Sequence, residues 1–126
     1  MILIFLAKSL LKESNTFYAV QKSETVRKAF QMMKDMDLSQ MPVMENGEIV
    51  GSLTESAVLT YLLENLLNNT EKEVGTIMDK PFPIVEEGLP FSKLSRFVSK
   101  KIPAVVTKDK SGQFHVLTKY DIIRAV

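Results

Sequence analysis

Apolar residues recur along the chain in two periods, and the same succession of periods occurs twice. Phe17-Tyr18-Ala19-Val20 predicts a short strand. After it Val26, Ala29, Phe30, Met33 and Met36 stand three and four residues apart, one stripe of a 3.6-residue period, so Ser23-Glu24-Thr25-Val26 opens a helix. Pro42-Val43-Met44-Glu45 and Glu48-Ile49-Val50-Gly51-Ser52-Leu53 flank Asn46-Gly47. Asn-Gly between two apolar runs predicts a hairpin, because both turn positions need positive φ. Thr54 then starts a second helix rich in Leu and Val. The second half repeats the series: a strand from Phe82 to Val85, then a helix opened by Gly88-Leu89-Pro90-Phe91 and marked by Phe91, Leu94, Phe97 and Val98. A hairpin turning at Asp109 to Gly112 follows, and a last helix runs from Thr118. Pro90 fits near a helix start, where its missing N–H has no partner to lose.

The spacing makes this a duplication. Thr54 and Thr118 lie 64 residues apart, as do Thr25 and Leu89. Pro42-Val43-Met44 and Pro103-Ala104-Val105 are 61 apart, which predicts a second copy with a helix region three residues shorter and a hairpin loop three longer. Leu10-Leu11-Lys12 before Ala19-Val20 echoes Ile77-Met78-Asp79 before Ile84-Val85. The chain is therefore expected to comprise an N-terminal extension or linker (1–7), a first repeat (8–67), a linker (68–73) and a second repeat (74–126). Each is strand, helix, hairpin, helix, an α/β unit of about 50 residues and too small to bury its sheet alone. The expectation is two repeats packed sheet to sheet with pseudo-two-fold symmetry, leaving two clefts at the junction.

Composition narrows the function. Lys and Arg number 16 against 15 Asp and Glu, a net charge of +1, without the basic excess of a nucleic-acid binder. There is no Cys and one His, His115, so thiol chemistry, disulfides and a His-rich metal centre are not expected. Met1 to Ala7 is apolar but far short of the roughly 20 residues that span a bilayer, and it lacks the features of a secretory signal. A cytoplasmic protein is expected, with no nucleic-acid or membrane partner. No Walker loop, Gly-x-Gly-x-x-Gly or nucleophile–base pair can be assembled, so no catalytic residue is expected.

The sharpest local feature is Val116-Leu117-Thr118-Lys119-Tyr120-Asp121, a hydroxyl and a carboxylate three residues apart where a strand meets a helix. A helix N-terminus suits an anion, Thr118 can donate to it, and Asp121 can accept two bonds from vicinal hydroxyls such as those of a ribose. The same spacing is close to a capping box, in which both side chains serve backbone donors. The first repeat has Thr54-Glu55-Ser56-Ala57 at this place, with Ala57 where the carboxylate would be. Met32, Met33, Met36, Met41 and Met44 cluster as core filler or as a wall for an adenine. Lys100-Lys101 and Lys108-Asp109-Lys110 read as a solvated surface or a phosphate attractor, and His115 as a partly exposed hairpin residue.

These pieces in order, twice, resemble a tandem pair of CBS domains (a Bateman module) from about Ser9 onward. The resemblance rests on Leu38-Ser39-Gln40-Met41-Pro42-Val43, Ile49-Val50-Gly51-Ser52-Leu53-Thr54, Ile77-Met78-Asp79 and Val116-Leu117-Thr118-x-x-Asp121. Asp79 to Val85 and Leu117 to Ile123 look more narrowly like the C-terminal regulatory pair of bacterial-type cystathionine β-synthases. The resemblance implies a regulatory sensor of an adenosyl ligand, S-adenosylmethionine, AMP or ATP, with no cofactor of its own. A pyridoxal-phosphate catalytic domain of a parent protein is a possible partner. It further implies that Asp121 binds the ribose, Thr118 the phosphate or amino-acid part, and Val116 and Tyr120 the adenine or ribose. Thr16, Phe17, Leu38, Ser39 and Gln40 are implied as the opposite wall. Ala57 leaves the second cleft without its ribose carboxylate, and His115 stands where the family usually has Gly. A structural dimerisation module with degenerate sites is the alternative. Residues 54–67 carry Val58, Leu59, Tyr61, Leu62, Leu63, Leu66 and Leu67, apolar over most of a helix surface, so a homodimer is expected unless Met1 to Leu11 folds back over them.

Overall fold

A computed structural model describes residues 17–67, 71–86, 88, 93, 96, 102–118 and 121. The chain divides into two compact units, the first running from Tyr18 to Pro81 and the second taking in Phe17 and the chain from Phe82. The second repeat's helix expected around Phe91 to Val98 and most of the one after Thr118 lie outside the described residues. Among the described residues no helix is long and apolar enough to cross a membrane.

The first unit holds β1 (Val20–Gln21), α1 (Val26–Asp35), β2 (Gln40–Glu45), β3 (Glu48–Thr54) and α2 (Glu55–Glu64). β1 runs parallel to β2, and β2 is antiparallel to β3. The hairpin turns at Asn46 and Gly47 with φ of 52° and 79°, the left-handed pair that the Asn-Gly signal demands. Thr25 caps α1 by accepting from Lys28 N at 3.2 Å. Val26, Ala29 and Met33 face inward and join Val20, Met41, Val43, Leu53, Val58 and Val74 in one core. The 3.6-residue stripe thus buries one face of α1 on one face of the sheet, although Met36, expected in the stripe, sits past the helix end and is 47% exposed.

Lys72 to Lys80 straps this unit. Val26 N, a first-turn donor with no partner in its own helix, donates to Lys72 O at 2.9 Å, and Val74 N to Glu24 O at 2.7 Å. Ser52 and Asp79 exchange both backbone hydrogen bonds, and Ser52 Oγ donates to Lys80 O at 2.6 Å. Gly51 permits this approach: a Cβ there would stand 2.5 Å from Met78 Sδ and 3.0 Å from Asp79 O.

In the second unit β4 (Ile84–Glu86) lies parallel to β5 (Ala104–Lys108), which is antiparallel to β6 (Phe114–Thr118). The two ladders correct the expected length exchange between repeats. Gln40 pairs with Thr54 as Ala104 pairs with Thr118, and Val43 with Gly51 as Thr107 with His115, so the 64-residue offset holds along both hairpin ladders as far as the bulge. Pro42 therefore corresponds to Val106, not to Pro103. The hairpins are equal in length because the loop Asp109 to Gln113 is balanced in the first unit by the two-residue turn and a bulge between Val43 and Met44. A shared proline in two apolar triplets carried less information than the strand register.

Candidate functional site

Alternation along β6 places Phe114, Val116 and Thr118 on one face of the second sheet, with Val116 paired to the buried Val106 and that residue to Ile84, itself 59% exposed. Thr118 ends the strand and Asp121 is already helical. Asp121 Oδ2 accepts from Thr118 N at 2.8 Å and from Thr118 Oγ1 at 3.1 Å. The carboxylate half of a capping box is therefore formed, with the hydroxyl and the carboxylate drawn onto one point at the head of the helix. Further along the sheet Phe17 packs tilted on Phe114 with ring centroids 5.7 Å apart. Lys108 Nζ stands 5.3 Å from the centre of the Phe114 ring, so its charge is turned to an aromatic face as well as to water. Tyr120 and Thr16 lie outside the described residues.

Leu38, Ser39 and Gln40 belong to the first unit, where the end of α1 positions them. Asp37 takes a left-handed φ of 54°, Leu38 N donates to Met33 O at 2.8 Å, and Asp37 N to Lys34 O at 3.4 Å. This is a Schellman ending with Leu38 as its apolar contact, so Leu38 is half-buried against the core. Ser39 O then accepts from Glu55 N at 2.9 Å, and Gln40 is the strand partner of Thr54. Thr54 Oγ1 caps α2 by accepting from Ala57 N at 3.2 Å. The candidate residues thus fall into two sets: Phe17, Val116, Thr118 and Asp121 in one unit, and Leu38, Ser39 and Gln40 beside Thr54 and Ala57 in the other. Only the first has both hydroxyl and carboxylate at its helix start.

His115 is partly exposed on its hairpin, as expected, but its imidazole is engaged. Its side chain is 11% exposed, and Nε2 lies 2.9 Å from Asp109 Oδ2. Asp109 also accepts from Ser111 N, Ser111 Oγ and Gln113 N. The hydrogen bond from His115, then that from the Ser111 hydroxyl, hold this carboxyl far below the usual carboxylate range. The turn signature Asp-x-Ser-Gly was visible in the sequence, but the return of His115 onto it needed the ladder.

Two three-stranded sheets, the first accompanied by α1 and α2, make up the fold of a CBS domain pair. Residues 11–64 match the family model of the CBS domain. The structure of CBSX2 in complex with AMP is similar, at 18% identity and a TM-score of 0.75, over 96% of this chain and 95% of that one. CBSX2 from Arabidopsis thaliana aligns at 17% identity and a TM-score of 0.77, covering 96% and 93%. A CBS domain-containing protein from Bacillus anthracis aligns at 19% and 0.75, covering 96% and 91%. No curated protein matches the chain.

Proposed function

We propose that the chain is a regulatory module that senses an adenosyl ligand (AMP, ATP or S-adenosylmethionine) and performs no chemistry itself. The observation that carries this reading is the convergence of Thr118 Oγ1 and Thr118 N on Asp121 Oδ2 at a strand-to-helix junction. Ribose hydroxyls would replace the Thr118 hydroxyl as donors to the carboxylate, which releases that hydroxyl toward a phosphate or an amino-acid tail at the helix N-terminus. The AMP in the CBSX2 complex supports the ligand class. The motifs from Asp79 to Val85 and from Leu117 to Ile123 support a cystathionine β-synthase-like parent enzyme as the target of regulation.

Calorimetric titration of the chain with AMP, ATP and S-adenosylmethionine tests this. One tight site per chain is expected, because Ala57 offers no carboxylate in the first unit. Two equivalent sites would contradict the assignment to Asp121, and Ala57→Asp is expected to strengthen binding at the first-unit position.

The alternative, a dimerisation module with degenerate sites, is favoured by α2 and the residues after it. Val58 is the only buried residue of α2, while Leu59, Leu63, Leu66 and Leu67 are 44%, 60%, 72% and 98% exposed. An exposed leucine stripe of this kind is characteristic of a protein interface. Sedimentation at micromolar concentration is expected to give about twice the chain mass of 14.2 kDa, and the double variant Leu63→Asp, Leu66→Asp a monomer. A monomeric wild type would reject the dimer. Absence of heat with all three ligands, combined with a dimer, would select the structural role alone.

A further inference from the structure

Among the described residues, two buried polar atoms of the second unit have no hydrogen-bond partner, Thr107 Oγ1 and His115 Nδ1. Thr107 is fully buried and the His115 side chain nearly so. The two residues are partners in the β5–β6 ladder, so their side chains leave the same face of the sheet with Cβ atoms about 4.5–5.5 Å apart. The far edge of the imidazole is committed. The Asp109 carboxylate is acceptor-only, so Nε2 is the donor of that bond, and in the neutral imidazole the buried Nδ1 is then an acceptor. In the first unit the same two register positions are Val43 and Gly51, and Met78 Sδ crowds the space where Gly51 lacks a side chain. The polarity is a feature of the second unit alone.

Buried polar groups are almost always satisfied, because an unpaired one keeps the cost of its lost hydration. Two unpaired atoms on directly paired residues can share one bridging molecule, which satisfies both at once. We infer that Thr107 and His115 hold a single small hydrogen-bond donor, a buried water molecule, inside the second unit. The water donates to His115 Nδ1 and accepts from the Thr107 hydroxyl. Asp109, His115, the water and Thr107 then form one relay that ties the hairpin loop to the buried strand β5. This site is independent of the adenosyl-ligand reading.

Thr107→Val in the full chain tests the relay, and it copies the residue that the first unit carries at the matching position. Loss of the water's partner is expected to lower Tm by about 3–6 °C. An unchanged or higher Tm would mean that a dry, unpaired hydroxyl had been removed and would overturn the site. In the wild type, an NMR cross-peak from a long-lived water to the Thr107 methyl group is expected. Its absence would overturn the proposal whatever the stability of the variant.

Discussion

Asp121→Ala should weaken an adenosyl nucleotide by at least about tenfold, a loss of about 1.4 kcal/mol in a calorimetric titration. Hydrogen bonds to a charged acceptor contribute about 1.5–3 kcal/mol each, so one lost ribose contact is already enough. The same carboxylate caps the helix through Thr118 N and Thr118 Oγ1, so alanine is also expected to reduce stability, by about 1 kcal/mol. Asp121→Asn separates the two roles. Its amide oxygen still accepts from Thr118 N, so the fold should melt near the wild-type temperature while binding stays weakened. Wild-type affinity in both variants would mean that Asp121 only caps the helix, and the ribose role would fall.

The parts of this fold that the sequence made legible are those governed by local periodicity. Val26, Ala29 and Met33 at helical spacing announced the buried face of α1, and Asn46-Gly47 announced a left-handed two-residue turn. Thr25 and Thr54 were readable as helix starts because their hydroxyls act within the next three residues. What escaped depends on register and on distant backbone. Pro42 and Pro103 looked equivalent, yet a sheet position is set by its cross-strand partner, Ser52 for Pro42, and composition carries no trace of that pairing. The strap from Lys72 to Lys80 is fastened mostly through backbone hydrogen bonds, which leave no mark in the sequence beyond the buried Val74. For the candidate site, Thr118 and Asp121 were legible because three residues separate them. Leu38, Ser39 and Gln40, implied as a ligand wall by the resemblance, are placed by the left-handed Asp37 that ends α1 and packs the half-buried Leu38 against the core, which no local spacing announces.

Met33→Ala should cost about 2–5 kcal/mol in a denaturant titration, since Met33 is among the largest fully buried side chains of the first unit. Met33 is 1% exposed and stands on the inner stripe of α1, within the cluster that contains Met41, Val43 and Leu53 of the sheet and Val58 of α2. Truncation there leaves a cavity between helix and sheet that neither can close without leaving its own hydrogen-bonded register. Total stabilities of single domains are about 5–15 kcal/mol, so the first unit should lose a large part of its margin. Met33→Leu nearly conserves volume and should cost less than about 1.5 kcal/mol. Met36→Ala, at a position 47% exposed beyond the helix end, should change stability by no more than about 0.5 kcal/mol. The three variants also decide what the methionines are for. If they form core, stability should fall in the order of burial while adenosyl affinity in the folded variants stays at the wild-type value. If Met36→Ala instead left stability untouched and weakened the ligand several-fold, the methionines would be lining a ligand wall and the core assignment would be wrong.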